Sequence, residues 1–337
     1  MPLYAGIDLH SSNNYLGIID DQDNRVYGKR LSNCLSTVLS ALNPFRKRLT
    51  SIVIESTYNW YWLVDGLQDH GYKVNLANPS AIKQYEGLKY TDDKWDSYWL
   101  AHMKRLNILP EGYIYPKESR PIRDLLRRRM LFVRQRVSHL LSLQSMITRN
   151  LGCRMSVNNI NKLENEDITQ MFGSNLAFMA KNHLDTVRFF QKTIRNIEKQ
   201  VLSQVRIKNE FSLLQTIPGV GKILALTIML EVGDIKRFEK VGHYSSYCRC
   251  VKSEKISNGK IKGKNNKKNG NKYLSWAYVE AANFAKRYSQ GAQRFYQSKK
   301  AKRNGVVATK ALSNKICRAS YYIMRDQIPY DEARLFI

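Results

Sequence analysis

The opening of the chain alternates between apolar runs and turn signals, and the order of these runs restricts the fold more than any other feature. Three strand-like runs come first, at residues 3–9, 15–19 and 25–31. The letters DDQDN at 20–24 supply a turn between the second and the third. The pattern predicts three consecutive strands at the start of a sheet.

Helices and strands then alternate. Residues 35–46 and 58–70 have helical character, and strand-like runs follow each of them, SIVIES at 51–56 and a short run at 73–76. The order βββ-α-β-α-β predicts a mixed sheet and is the order of the ribonuclease-H-like nuclease fold. Other α/β folds can begin in the same way, so the order alone leaves the function open.

Beyond Pro121 the apolar residues recur at steps of three and four, first over residues 122–151 and again over 187–205. Pro121 suits a first helical turn and Gly152 suits a helix end. Two long amphipathic helices predict an antiparallel helical spacer or coiled coil. We expect three domains, an α/β domain at 1–118, the spacer at 119–208 and a mainly α-helical domain at 209–337.

The charge balance indicates the partner. Lys and Arg number 55 against 28 Asp and Glu, which gives a net charge of +27 and favours a polyanion. No apolar run approaches the roughly 18 residues of a membrane span, and no signal peptide is evident, so nucleic acid is favoured over a membrane surface. We expect a cytoplasmic, nucleoid-associated protein. The five cysteines form no CxxC pair and are predicted to be reduced structural thiols.

Acidic residues collect at a few points against this positive background. Asp8 ends the first predicted strand and Glu55 ends the fourth, which are neighbours in a ribonuclease-H-like sheet. Asp93 and Asp96 lie on one face of a predicted helix, where charges ~4 Å apart repel by ~4 kcal/mol at an effective dielectric of 20. A helix N-terminus that favours acids is one explanation. Four carboxylates that converge would instead suit two Mg²⁺ ions.

Two segments are candidates for phosphate contact. Residues 252–272 hold eight lysines and the single acid Glu254, which favours a phosphate-gripping loop over a merely flexible one. The letters PGVG at 218–221 resemble a helix-hairpin-helix turn, although a tight turn in a helical bundle fits equally well. With two arginines of the spacer, the candidate contacts are Arg127, Arg128, Gly219, Gly221, Lys222, Lys260, Lys262, Lys264, Lys267 and Lys268.

Four segments in sequence order, YAGIDLH, VIEST, TDDKWDSYWLA and IPGVGKILALTIMLEVGDIKRF, resemble the DEDD transposases of the insertion-sequence one-ten and eleven-eleven group. The Piv-type DNA invertases belong to the same group, and the resemblance covers nearly the whole chain. It implies a RuvC-like N-terminal domain, a coiled-coil spacer and a C-terminal transposase domain. It also implies a tetramer on DNA and a structured bridge RNA that guides the choice of donor and target.

The resemblance also implies site residues. The catalytic and metal-binding tetrad would be Asp8, Glu55, Asp93 and Asp96. The family pattern Lys-Thr-Asp-x-x-Asp-Ala selects Asp93, with Asp92 as a rival because an aspartate replaces the usual threonine.

A serine of the C-terminal domain is the family's second catalytic element. The segment KSEKISNGK offers Ser257 as the better match and Ser253 as the weaker one, with Asn258 replacing the usual first glycine. The serine would attack a DNA phosphodiester and hold the strand as a phosphoserine ester, aided by carboxylate-bound Mg²⁺. The carboxylates that assist the serine could come from a second subunit.

We therefore expect a Mg²⁺-dependent transposase or recombinase that cuts and rejoins DNA as a dimer or tetramer with a guide RNA. A site-specific invertase would use the same chemistry on fixed inverted repeats. A RuvC-like junction nuclease would use water and leave Ser257 idle. A non-catalytic nucleic-acid scaffold would not need Mg²⁺ at all.

Overall fold

The computed structural model describes residues 1–82, 92–205, 209–263 and 269–336. The chain forms two compact units. The first contains Met1–Lys117 and Ser253–Asn269, and the second contains Glu118–Lys252 and Gly270–Ile337. No helix in the described ranges is both long enough and apolar enough to cross a bilayer.

The first unit is built on a six-stranded mixed sheet with the spatial order β3-β2-β1-β4-β5-β6. Strand β1 pairs antiparallel with β2 and parallel with β4, so the predicted meander and the mixed sheet are confirmed. The strands are β1 Leu3–Leu9, β2 Asn13–Asp20, β3 Arg25–Ser32, β4 Leu49–Glu55, β5 Val74–Ala77 and β6 Glu111–Gly112. The helices of this unit are α1 Leu35–Leu42, α2 Tyr61–Asp69 and α3 Asp93–Arg105.

Both faces of β1 are covered, which explains its nearly continuous apolar sequence. Alternate residues from Leu3 to Leu9 join the core that includes Val38 of α1 and Leu63 of α2. The intervening positions face helix α3. Because side chains alternate along a strand, Asp8 lies on the same face as Gly6, the face that α3 covers.

A row of three glycines brings α3 close to the sheet. Gly6 on β1 pairs with Gly17 on β2, which pairs with Gly28 on β3. A methyl group on Gly6 would overlap the carbonyl oxygen of Ser97, and one on Gly17 would lie 2.7 Å from the Ser97 hydroxyl oxygen. One on Gly28 would overlap the hydroxyl of Tyr98. The helix therefore rests directly on strand backbone.

The second unit is helical. The two predicted long helices are present as α4 Arg120–Leu151 and α7 Ser174–Gln204, which pack on each other, while coiled-coil geometry stays a prediction. Helix α7 begins earlier than residue 187 because its first half buries small residues such as Ala177 and Ala180. The remaining helices are α5 Val157–Ile160, α6 Asn165–Met171, α8 Asn209–Leu214, α9 Lys222–Val232, α10 Val241–Tyr247, α11 Lys272–Tyr288, α12 Gln290–Lys302, α13 Gly305–Asp326 and α14 Glu332–Leu335.

Part of the lysine-rich segment, residues 255–263, forms strands where a loop was predicted. Strands β7 Lys255–Ser257 and β8 Lys260–Gly263 form an antiparallel hairpin. Its two turn residues, Asn258 at φ 50° and Gly259 at φ 69°, have the positive φ values that a type I′ turn requires. Asn-Gly is the preferred pair for such a turn, so a hairpin stands at 255–263 in place of the predicted loop, and its contact with phosphate stays a prediction. Lys264, Lys267 and Lys268 lie outside the described residues.

The glycine row gives a stability prediction. Gly6→Ala forces the added methyl group against the backbone of α3, so we expect the free energy of unfolding to fall by about 3 kcal/mol, at the upper end of overpacking effects. Urea unfolding followed by circular dichroism measures this change.

The matched control is Gly242→Ala, because an added methyl group there meets nothing within 4 Å and Gly242 lies in helix α10. This variant should be neutral or slightly stabilised. Equal stability of Gly6→Ala and the wild-type protein would contradict the close approach of α3 to the sheet.

Candidate active site

The four predicted carboxylates meet at one edge of the sheet. Asp8 lies near the end of β1 and Glu55 at the end of the neighbouring parallel strand β4, and each carboxylate shifts the pKa of the other. Asp93 and Asp96 occupy the first turn of α3. Helix α3 covers β1, so its acidic N-terminus lies beside the strand ends. The structure thus brings all four acids into one cluster.

A histidine that the sequence analysis missed joins this cluster. His10 Nε2 lies 3.0 Å from Asp8 Oδ2 and 3.0 Å from Asp93 Oδ1. Arg30 on β3 adds a second positive group, with its Nη2 atom 2.6 Å from Asp93 Oδ2. A usable signal was present in the sequence, because His10 follows Asp8 by only two positions, directly after the predicted strand.

The main chain of His10 is fixed by two amide side chains. Asn33 Nδ2 and Asn59 Nδ2 each donate to the carbonyl oxygen of His10 at 2.9 Å. Asn33 in turn accepts a hydrogen bond from the fully buried Asn14 at 3.0 Å. The backbone of His10 is therefore anchored independently of the carboxylates that its ring contacts.

Crowding of the acids shifts their protonation. Burial and the neighbouring Asp8 charge raise the pKa of Glu55 to about 7. Burial, with the charges of Asp8 and Asp93, raises the pKa of Asp96 to about 6, and burial also raises the pKa of Asp8. For Asp93, burial is outweighed by the hydrogen bonds from Arg30 and His10, so its pKa is lowered.

The donor set fits a divalent cation. Within the described part of the chain, Oδ1 of Asp96 is buried without a hydrogen-bond partner, an unfavourable position for a carboxylate oxygen unless it binds a cation. One ligand atom each from Asp8, His10 and Asp93 lie within 4.8 Å of one another. Carboxylate oxygens are the ligands that hard cations prefer. Asp8, Glu55, Asp93 and Asp96 could hold such an ion.

Asp92 has a different environment from Asp93. Its carboxylate accepts the backbone N–H of Trp95 at 2.7 Å and caps helix α3. This capping bond uses the side chain as a typical N-cap aspartate does. Asp93, and not Asp92, contacts His10 and Arg30.

The candidate serine lies on the hairpin of the first unit. Ser257 ends β7 opposite Lys260, immediately before the Asn-Gly turn, and it is exposed. Ser253 lies two residues before β7. The segment containing both serines belongs to the same compact unit as the carboxylates. Lys260 and Lys262 on β8 are exposed as well, so the turn presents a hydroxyl beside free cationic side chains.

The glycine turn at 218–221 has a structural explanation in part. Gly219 has φ 90°, and a methyl group on it would lie 2.5 Å from the backbone nitrogen of Ala285 in α11. Glycine is therefore required there by packing. Gly221 caps α9 and is exposed, as is Lys222, so their backbone and side chain remain available to a phosphate.

Arg127 is engaged within the protein. Its Nε and Nη2 atoms donate to the two carboxylate oxygens of Glu231 at 2.6 and 2.7 Å, and Glu231 is 2% exposed. Asn271, the cap of α11, also donates to Glu231 at 2.7 Å. The Arg127 guanidinium stacks over the ring of Tyr273 as well. These contacts give Arg127 a structural role in the second unit, and its contact with phosphate stays a prediction, as does that of the exposed Arg128.

Comparisons with known proteins agree with this arrangement. Residues 5–150 match the DEDD IS110 model, described as a transposase, and residues 211–297 match the model of the transposase IS116/IS110/IS902 family. The chain is 24% identical over 297 residues to the pilin gene-inverting proteins of Moraxella bovis and of Moraxella lacunata. Each alignment covers 83% of this chain and 82% of the relative.

The two neighbouring arginines provide a matched pair for testing. Arg127→Ala leaves the buried Glu231 without its ion pair, so we expect the free energy of unfolding to fall by about 3 kcal/mol. Arg128→Ala, on an exposed side chain, should change it by less than about 0.5 kcal/mol. Denaturant unfolding of both variants measures the difference, and equal stability would contradict a structural role for Arg127.

The raised pKa values predict pH-dependent metal binding. Between pH 8 and pH 6, Glu55 and then Asp96 become protonated, so a cation must displace their protons at the lower pH. We expect Mn²⁺, as a probe ion, to bind about tenfold more weakly at pH 6 than at pH 8. Isothermal titration calorimetry measures the affinity, with Asp69→Asn on an exposed acid of α2 as the control. An affinity independent of pH over this range would contradict the prediction.

The same pKa shifts determine whether the free energy of unfolding rises or falls with pH when no metal is bound. Glu55 and Asp96 have folded-state pKa values above their unfolded values. Their contribution to the free energy of unfolding is therefore present at low pH and is lost as the pH rises through about 6 to 7. The raised pKa of His10 acts in the same direction. Glu55→Gln should make the free energy of unfolding fall less steeply with rising pH. An unchanged slope of unfolding free energy against pH in this variant would contradict the raised pKa of Glu55.

Proposed function

Because the chain belongs to the IS110 family of transposases and is therefore a DNA transposase or recombinase, we propose that its RuvC-like first unit cuts and rejoins DNA through a serine nucleophile. The observation that carries this proposal is the carboxylate cluster at the ends of β1 and β4. Four acids collect there in a protein of net charge +27, and one of them has a buried oxygen without a partner in the described chain.

Asp8, Glu55, Asp93 and Asp96 are proposed to hold two Mg²⁺ ions, as all-oxygen ligands suit that ion. When bound, Mg²⁺ neutralises charge on the phosphate and on the departing oxygen and favours an ionised nucleophile. His10 is a poor ligand for Mg²⁺ because its donor is an imidazole nitrogen. Its role is to orient Asp8 and Asp93 by hydrogen bonding, since its own backbone is held by Asn33 and Asn59.

Ser257 is proposed as the nucleophile. Its hydroxyl oxygen attacks the scissile phosphorus as the bond from phosphorus to a deoxyribose oxygen breaks. The serine gives up its proton, the departing oxygen gains one, and the strand remains attached as a phosphoserine ester. Attack on this ester by the hydroxyl of another strand end restores a phosphodiester and frees the serine. Placement of Ser257 in an ordered turn flanked by Lys260 supports this role.

The proposed partners follow from charge and exposed surface. Lys260 and Lys262 on the hairpin and Lys222 at the start of α9 are positioned for DNA or guide-RNA phosphates. The spacer helices expose Leu141 at 56% and Phe189 at 62%, and these side chains favour subunit contact in a dimer or tetramer. A coiled-coil arrangement of α4 and α7 is part of this proposal, as is a location on the bacterial nucleoid.

A site-specific invertase is the second candidate function. The observation that favours it is the similarity to the two pilin gene-inverting proteins along most of both chains. Inversion and transposition share the chemistry described above and differ in the DNA sites that are joined. Assays on inverted repeats and on element junctions therefore distinguish them.

The serine mechanism predicts a covalent adduct. End-labelled element-junction DNA is incubated with the protein, Mg²⁺ and the RNA transcribed from the flanking DNA, and the protein is then denatured. We expect label on wild-type protein and none on Ser257→Ala, because the attacking oxygen is absent, or on Asp93→Asn, because a metal-binding carboxylate is lost. Denaturing gel electrophoresis measures the retained label.

Ser253→Ala is the matched control and should keep the adduct, since Ser253 lies outside the turn. Loss of the adduct in Ser253→Ala alone would transfer the nucleophile to that residue. Free cleaved DNA that persists in Ser257→Ala would contradict serine attack and favour water as the nucleophile. Cleavage without added divalent ions would contradict the metal assignment.

A further inference from the structure

Tyr58 is the most exposed aromatic side chain among the described residues, at 82%. It lies three positions after Glu55, in the segment between β4 and α2. A single exposed aromatic ring needs no explanation by itself. What distinguishes Tyr58 is that its segment is hydrogen-bonded to His10, the residue that contacts Asp8 and Asp93.

The segment that carries Tyr58 is held in place on both sides. Thr57 Oγ1 donates to Asn59 Oδ1 at 2.8 Å, and Asn59 Nδ2 donates to the carbonyl oxygen of His10 at 2.9 Å. The backbone N–H of Ser56 donates to Ala77 on the neighbouring strand. The aromatic ring thus projects from a backbone that is tied directly to the residue bridging Asp8 and Asp93.

The charge of the protein and the chemistry of an aromatic ring indicate which ligand would cover Tyr58. The protein carries a net charge of +27, and the half-exposed Arg30 lies against Asp93 in the same cluster. A polyanion that enters the cluster brings flat aromatic bases with it, and stacking on an aromatic side chain is the commonest way in which proteins hold an unpaired base. The neighbours of Tyr58 in its segment, Ser56, Thr57 and Asn59, are polar, which disfavours an apolar protein partner.

We propose that Tyr58 is a stacking platform for a nucleobase of the DNA strand that enters the carboxylate site. This inference rests on the proposed function, since it assigns a substrate contact to the same site. Stacking holds one base beside the metal-binding acids and so fixes the position of the adjoining phosphate. The contact uses the face of the ring, so it does not depend on the phenolic hydroxyl.

The test measures binding without cleavage. Wild-type protein and variants are titrated, in EDTA, into a single-stranded DNA of about 20 nucleotides that carries 2-aminopurine, whose fluorescence is quenched by stacking. We expect Tyr58→Ala to bind about tenfold more weakly and to quench less, because one stacked base is lost. Tyr58→Phe should retain affinity within about twofold, because its ring still stacks.

Tyr288→Ala is the matched control, because Tyr288 is 72% exposed at the end of helix α11 in the second unit. It should bind like the wild-type protein. The salt dependence of binding should be unchanged in Tyr58→Ala, since stacking releases no counterions. Unchanged affinity and quenching in Tyr58→Ala would overturn the proposal, and so would an equal loss in Tyr288→Ala.

Failure of this inference can be separated from failure of the proposed function. If Tyr58→Ala loses affinity and quenching while no strand is ever cleaved in Mg²⁺, the stacking contact stands and the strand-transfer function falls. If cleavage depends on Asp93 but binding is indifferent to Tyr58, the function stands and the stacking platform falls. Thermal unfolding of Tyr58→Ala should match wild type, because an exposed side chain adds little to stability.

Discussion

The direct contact between helix α3 and the backbone of β1 and β2 is the constraint on which the site depends. Gly6 and Gly17 leave no side chain between strand and helix, so Ser97 reaches the sheet itself. This contact lowers the N-terminus of α3, and with it Asp93 and Asp96, onto the edge where β1 and β4 end. A larger residue in the glycine row would lift the helix and separate its two acids from Asp8 and Glu55.

The geometry that the glycines impose has an electrostatic cost. Burial of the acids, together with the repulsion among four carboxylates at one sheet edge, raises the pKa values of Glu55 and Asp96. His10 and Arg30 offset part of this repulsion by contacting Asp93. Residues held unfavourably in the folded state are typical of functional sites, where a ligand supplies the missing interaction. A divalent cation is the ligand that matches this set of oxygens.

The sequence predicts much of this architecture because the informative signals are local. Strand runs, helical periodicity and the acids that end apolar strands are visible along the chain, and the structure places them as expected. The glycine row was not predicted, since Gly6, Gly17 and Gly28 become neighbours only once strand register is known. The ion pair of Arg127 was not predicted because its partner Glu231 lies 104 positions away. The hairpin at 255–263 was missed although Asn-Gly is a local signal, because the surrounding lysines indicated a loop.

Anomalous diffraction from crystals grown with Mn²⁺ is the direct test of metal binding by the carboxylate cluster, because it locates the metal without depending on a DNA substrate. We expect anomalous density at Asp8, Glu55, Asp93 and Asp96, with His10 beside it. Density elsewhere on the protein, with these four carboxylates free of metal, would contradict a metal site at this edge of the sheet.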